Sequence, residues 1–264
     1  MKNPLKKKLQ QGKIATGTFV GLCHPDVAEM LARVGFDWLL LDMEHSPMGF
    51  ETLQRMMQAM SGTDCVPIVR PQWSDLVGIK RVLDIGAYGV VLPWINTRKE
   101  AENAVKACKY PPVGIRGFGP RRAGMFDPSY YKTANDEVMV IPQVETEEAL
   151  KNLDDILSVP GIDAVYIGPW DLSSCMGLGI PPQWENPRYA RAIDRVFEAA
   201  HKHGKPAGMY TTMDTIEWAL DKGFTFNTLD SADTFLMQSA KKAVEKVQSY
   251  KPARQRGAKV KAKK

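Results

Sequence analysis

Short apolar runs alternate with amphipathic stretches along almost the whole chain. Residues 36–41 read as a strand buried on both faces, and that run ends directly in Asp42, Glu44 and His45. Runs of the same kind predict strands over 14–20, 66–70, 88–94, 138–144, 163–168, 206–210 and 224–229. Helical spacing predicts helices over 25–34, 50–60, 75–83, 99–109, 147–157, 187–202, 213–221 and 234–249. The first of these has Pro25 in its opening turn and Gly35 after its end. In the second, Leu53, Met56, Met57 and Met60 share one face, as core residues do.

Eight strands alternating with eight helices predict an α/β protein, a single (β/α)8 TIM barrel over residues 1–250. The alternative, a doubly wound open sheet, is weakened because neither GxGxxG nor GxxxxGK[ST] follows the first strand. Residues 113–135 carry no clear periodicity and read as a long irregular segment, of the kind that forms lids or binding loops.

Charge refines the picture. The net charge of +5 is concentrated at the termini: twelve of the 35 Lys and Arg lie in 1–13 and 251–264, where there are no acids. That leaves 23 basic against 30 acidic side chains in the body, a balance of about −7. The basic segment 251–264 is nearly devoid of apolar residues and is expected to be disordered. It gives a rival reading as a nucleic-acid-associated protein, but the acidic body offers no broad face for nucleic acid, and no nucleic-acid partner is expected. Four scattered cysteines without a CxxC pair suggest reduced thiols. With no membrane-length apolar run and no signal-peptide pattern, the expectation is a cytoplasmic protein without a membrane partner.

In a barrel the carboxyl ends of the strands converge on one face. In order, they offer Asp42, Glu44 and His45; Arg70; Pro93 and Trp94; Glu145; Asp171; Thr211; and Asp230. Glu145 and Asp171 are candidate ligands for a divalent metal (Mg, Mn or Co), since hard oxygen donors with few histidines suit such ions. His45 is a candidate base, Asp42 three residues before it a candidate orienter of its ring, and Arg70 a forked donor for an oxyanion or carboxylate. No lysine stands at a strand end, which disfavours Schiff-base chemistry. His24 lies in a loop near the same face, and His201 and His203 sit at the end of a helix.

Six motifs in order carry a resemblance: residues 35–45 (GFDWLLLDMEH), Val69-Arg70-Pro71, residues 83–87 (LDIGA), residues 110–117 (YPPVGIRG), Gln143-Val144-Glu145 and residues 167–173 (IGPWDLS). Over residues 10–247 the chain resembles the class II pyruvate aldolases, the 4-hydroxy-2-oxoheptanedioate aldolase family. The resemblance implies a homotrimer or homohexamer of barrels whose last helix is exchanged between subunits. It also implies metal-dependent cleavage of 4-hydroxy-2-oxo acids to pyruvate and an aldehyde. Carried over, Glu145 and Asp171 bind the metal, Arg70 meets the keto oxygen, and His45, oriented by Asp42, manages the proton. Gln143, Gly168, Pro169, Trp170 and Tyr210 join Arg70 in holding substrate, and Asp84 reaches a neighbouring subunit's site. A citrate-lyase or malyl-CoA-lyase activity on acyl-CoA is the alternative within enzymes.

Some positions depart from the family pattern. Trp170 stands where a small residue is usual, Met43 where Gly is common, and Arg121 and Arg122 follow the Arg-Gly segment. The tryptophan would narrow the pocket for the aldehyde half, while the two arginines would suit an acidic acceptor.

Overall fold

The computed structural model describes residues 2–250. Eight strands form it: β1 (Ala15–Val20), β2 (Trp38–Asp42), β3 (Val66–Arg70), β4 (Gly89–Leu92), β5 (Met139–Val144), β6 (Val165–Ile167), β7 (Ala207–Thr211) and β8 (Phe226–Ser231). Each pairs in parallel with the next, and β8 returns to β1, so the barrel closes. The helices are α1 (Pro4–Gln10), α2 (Pro25–Val34), α3 (Phe50–Ala59), α4 (Leu76–Ile85), α5 (Arg98–Cys108), α6 (Arg121–Phe126) and α7 (Tyr130–Glu137). They continue with α8 (Glu147–Lys151), α9 (Leu153–Leu157), α10 (Pro169–Cys175), α11 (Pro187–Lys202), α12 (Ile216–Asp221) and α13 (Ala232–Gln248).

The period-2 geometry of a strand sorts its residues into two cores. Leu39, Leu41, Val69, Val90 and Val140 face outward and join the apolar faces of the surrounding helices. Trp38, Leu40, Ile68, Val91, Ile141 and Phe226 face inward and fill the barrel. Glycines make that filling possible: a Cβ on Gly17 would lie 2.5 Å from the Trp38 ring, and one on Gly208 would lie 1.6 Å from the Phe226 carbonyl oxygen. Trp38 and Phe226 then stack with centroids 4.2 Å apart.

The N-terminal residues, read from sequence as part of a charged tail, instead form α1. Leu5 and Leu9 belong to the interior core and close the barrel at the amino ends of its strands. Their burial contributes roughly 1.5–3 kcal/mol each. Asn3 caps the helix through Lys6 N and donates its side-chain amide to the carbonyls of Tyr88 and Glu137.

Segment 113–135 also departs from expectation. It holds α6 and most of α7, and because it leads from a helix into a strand it lies at the amino ends of the strands, opposite the face a lid would cover. The expected single helix over 147–157 is two short ones, α8 and α9, separated at Asn152. The stretch after Gly168 is helical, as α10. All four cysteines are unpaired. Among the described residues, no helix is long and apolar enough to cross a membrane.

The chain divides into two compact units, the first ending at Ala232. The described part of the second is the rest of α13 and the two residues after it, with Leu236, Met237, Val244 and Val247 all more than half exposed. The expected disordered segment 251–264 lies outside the described residues.

Candidate active site

The alternation that fills the barrel also builds the site. One step beyond the inward-facing Leu40 and Ile68, β2 and β3 present Asp42 and Arg70, which are register partners. One step beyond Ile141 is Gln143, and the next inward position after β5 is Glu145. Directly after β6 the corresponding position is Gly168, and on β7 it is Tyr210. The interior thus changes from apolar to charged at the carboxyl ends of the strands.

Arg70 is 7% exposed and donates through Nε to Asp42 Oδ1 and through a terminal nitrogen to Asp42 Oδ2, both at 2.9 Å. Arg70 Nε also lies 3.1 Å from Glu44 Oε2, but its proton is directed to Asp42, and that Glu44 oxygen is buried without a hydrogen bond. Burial disfavours charge on Arg70, yet Asp42 and Glu44 more than offset this and hold its pKa above the ordinary value. Asp42 spends its oxygens on Arg70 and on the backbone N–H of Glu44. The sequence reading made Asp42 the orienter of His45. Here the carboxylate beside the imidazole is Glu44, with 3.7 Å between His45 Nε2 and Glu44 Oε2, and the His45 side chain is 63% exposed.

The second acidic group is more deeply set. Glu145, 2% exposed, accepts from the Trp94 backbone N–H at 2.8 Å and from the Gln143 side-chain amide. The Trp94 backbone at this point is left-handed, with φ 55°, an uncommon conformation for a bulky residue. Gly168 makes room for the cluster: a Cβ there would lie 2.8 Å from Glu145 Oε2 and 3.2 Å from Gln143 Nε2. Burial pushes the Glu145 carboxyl up to about 7, with Glu44 and Asp171 adding repulsion against the two hydrogen bonds. Burial likewise pushes Glu44 up to about 7; Arg70 opposes the rise, and Asp42 and Asp171 add to it. Asp171 lies in the first turn of α10 and is exposed.

Glu44 and Glu145, both raised in pKa by burial and by the nearby Asp171, together with the buried and unbonded Gln143 Oε1 and Glu44 Oε2, form a site with excess negative charge. Hard oxygen donors of this kind suit a divalent cation. Among the described residues no three His, Cys, Asp or Glu side chains converge tightly enough to hold an ion by themselves. Glu145 and Asp171 would therefore supply part of a coordination shell.

Around this centre, Phe19 lies under Arg70, Tyr210 lies against Phe19, and Trp170 meets Tyr210 edge-on. The Pro169 carbonyl accepts from the Tyr189 hydroxyl at 2.9 Å, which anchors the start of α10. Asp84 stands apart. It lies near the end of α4, toward the amino ends of the strands, where the fully buried Arg116 holds it at 2.7 Å. It does not join this chain's own strand-end cluster. Arg121 and Arg122 are likewise at that end, in α6, and Arg122 donates to the carbonyls of Ile85 and Met57. His24 caps α2, and His203 pairs with Asp154. Sequence reasoning gave no role to Glu44, Phe19 or the Trp94 N–H. Glu44 was visible as a third acid at a buried strand's end, whereas the Trp94 backbone carries no sequence signal.

The model of the family described as HpcH/HpaI aldolase/citrate lyase matches residues 15–239. A 4-hydroxy-2-oxo-heptane-1,7-dioate aldolase from Klebsiella pneumoniae subsp. pneumoniae is 40% identical over 245 residues, covering 91% of this chain and 92% of the relative. A solved HpcH/HpaI aldolase/citrate lyase family protein from Burkholderia cenocepacia J2315 superposes with a TM-score of 0.89 at 29% identity, covering 94% of this chain and 100% of the other. The solved citrate synthase SbnG superposes with a TM-score of 0.81 at 28% identity, covering 92% and 98%.

Proposed function

The chain belongs to the HpcH/HpaI aldolase/citrate lyase family, and from that premise we propose that it is a metal-dependent pyruvate aldolase that reversibly cleaves 4-hydroxy-2-oxo acids to pyruvate and an aldehyde. One observation carries the reading: a buried arginine, Arg70, stands beside a cluster of buried carboxylates at the mouth of the barrel. Cleavage of a C3–C4 bond leaves its electron pair on C3 as an enolate, and charge must be stabilised at the keto oxygen. Arg70 can turn a donor toward that oxygen while Asp42 fixes its plane. His45, open to solvent beside Glu44, takes the 4-hydroxyl proton as the bond breaks. A proton added at C3 then completes pyruvate, so atoms and charge balance. Gln143, the backbone after Gly168, Pro169, Trp170 and Tyr210 line the substrate. A divalent ion (Mg, Mn or Co) held by Glu145 and Asp171 would supply Lewis-acid charge to the oxygens of the 2-oxo acid.

The assembly we propose is a homotrimer or homohexamer. Asp84 would act at a neighbouring chain's site, because in its own chain it faces the opposite end of the barrel. Exposed Phe118, Met125, Phe126 and Tyr131 near that end support a contact between copies, and the exposed apolar side chains of α13 support exchange of that helix. We take residues 1–250 as the functional domain and the cytoplasm as its place.

The test is proton NMR of pyruvate in D₂O with the purified protein and Mn²⁺, Mg²⁺ or Co²⁺, repeated with EDTA. Metal-dependent loss of the methyl signal is expected. Its absence with every metal, or full cleavage activity in both His45→Ala and Glu145→Ala, would end the aldolase reading. The likeness to a citrate synthase supports a second reading, carbon–carbon lyase chemistry on an acyl-CoA. Thioester turnover exceeding oxo-acid turnover would favour it.

A further inference from the structure

We propose that the acceptor half of the site takes a flat, uncharged aromatic aldehyde, seated on a continuous wall of Phe19, Tyr210 and Trp170. The inference rests on the pyruvate-aldolase reading and specifies its second substrate.

The wall begins at the cation. The Arg70 guanidinium carbon lies 4.9 Å from the Phe19 ring centroid, Phe19 lies 5.6 Å from Tyr210, and Tyr210 meets Trp170 edge-on at 4.9 Å and 86°. Each ring follows two residues after a glycine at an inward position: Gly17, Gly208 and Gly168. The glycines let Trp38, Phe226 and Glu145 occupy the space below, so the next inward side chains form the floor and side of the mouth. All three rings are only half-buried, which leaves aromatic surface available to a ligand beside the reacting carbon. At the same end, the exposed Trp73 and Trp94 lie 6.4 Å apart in neighbouring strand-to-helix loops.

Charge points the same way. Segments 21–24, 43–49, 71–75, 93–97, 145–146, 168–186 and 212–215, which follow the first seven strands, contain no Lys or Arg. They do contain Glu44, Asp75, Glu145, Asp171, Glu185 and Asp214. Arg70 at this end is already bonded to Asp42, and Arg188 in the first turn of α11 to Glu147 and the Met176 carbonyl. A carboxylate at the far end of an acceptor would meet acids here and no free cation from these loops. Within its own chain the pair Arg121 and Arg122 belongs to α6 at the other end of the barrel, and Arg122 is spent on backbone carbonyls there. An electron-rich wall in an acidic mouth favours a neutral ring over a second carboxylate.

The experiment compares two substrates on the full-length protein with Mn²⁺. Pyruvate release is measured from 4-hydroxy-2-oxo-4-phenylbutanoate and from 4-hydroxy-2-oxoheptanedioate. The phenyl substrate is expected to have the higher kcat/KM, by about tenfold. Trp170→Ala is expected to bring the ratio of the two kcat/KM values down toward unity, and Trp170→Phe to keep most of it. The ratio is the readout, because Trp170 lies within the binding site and either rate alone can fall for other reasons. A preference for the dicarboxylate in the unmodified protein overturns the inference, as does a ratio that Trp170→Ala leaves unchanged. If either occurs while pyruvate methyl exchange persists, the aldolase reading stands and only the acceptor class is wrong. If exchange is absent, both fall. Should Trp170→Ala fail to fold, the ratio in the unmodified protein decides alone.

Discussion

Asp42 and Arg70 stand opposite each other on adjacent strands, and the two prongs of the Arg70 guanidinium meet the two oxygens of the Asp42 carboxylate at 2.9 Å each. A planar pair of this kind fixes the direction of the remaining donor, which a lysine at the same position could not do. Arg70→Lys keeps the charge but is expected to slow pyruvate methyl exchange by about 10²-fold. Asp42→Ala leaves a buried guanidinium with only Glu44 beside it and is expected to cost about 3 kcal/mol of stability. Exchange rates and urea midpoints check the two; near-unchanged values in both variants would remove the pair from the mechanism and from the stability of the fold.

The acid cluster makes the metal-free protein sensitive to pH. Burial, with Glu44 and Asp171 adding, raises the Glu145 carboxyl from its ordinary 4.5 to about 7. A carboxyl raised by folding holds its proton more tightly in the folded state. Its contribution is therefore present below the unfolded pKa and lost as pH climbs to about 7, by up to about 3 kcal/mol. In EDTA, Tm should fall between pH 5 and 7, and Glu145→Gln should flatten the slope. Parallel slopes in the two proteins would contradict this. A divalent ion must displace the same proton, so its affinity should rise over that range, with proton release measurable by titration calorimetry in two buffers.

Gly168→Ala tests how tightly the cluster is packed. The backbone there, at φ −89°, accepts any residue, so the effect must come from the added Cβ, 2.8 Å from Glu145 Oε2. Displacing that carboxylate is expected to weaken divalent-ion binding about 10–100-fold with little change in thermal stability without metal. Unaltered ion affinity, measured directly by calorimetry, would show that the carboxylate has room to move.

Gly208→Ala should act in the opposite manner. Its Cβ would lie 1.6 Å from the Phe226 carbonyl oxygen, inside the closed sheet, where neither backbone can retreat without breaking the β7–β8 pairing. A loss of 3 kcal/mol or roughly more, or no soluble protein, is expected. A soluble variant with the original melting temperature would mean that the barrel is looser than its packing indicates.

The barrel could be read from the chain because each strand is a short apolar run and each helix an amphipathic one, and both patterns survive in the two cores on either side of the sheet. The acids at the site were legible for a related reason: charge directly after a buried run has few structural explanations. The partner of Asp42 was not legible. Proximity along the chain favoured His45, three residues away, whereas strand register set Arg70, 28 residues away, directly opposite. Residues 113–135 were misread because glycine and proline masked two short helices whose burial of Ala123, Tyr130 and Ala134 outweighs their weak propensity. Their placement away from the site follows from chain order alone, since a segment entering a strand lies at that strand's beginning.

The closing seam of the barrel bears on how the protein is made. Thr18 on β1 donates to the carbonyl of Asp230, 212 residues later, and β1 gains its second neighbour only when β8 exists. At roughly 5–20 residues per second, a ribosome needs about 10–40 s to deliver that partner. Throughout that interval one edge of β1 and the inward face that Phe226 will cover stay open. The nascent chain is therefore most exposed to aggregation, and most in need of a chaperone's cover, just before its last strand emerges.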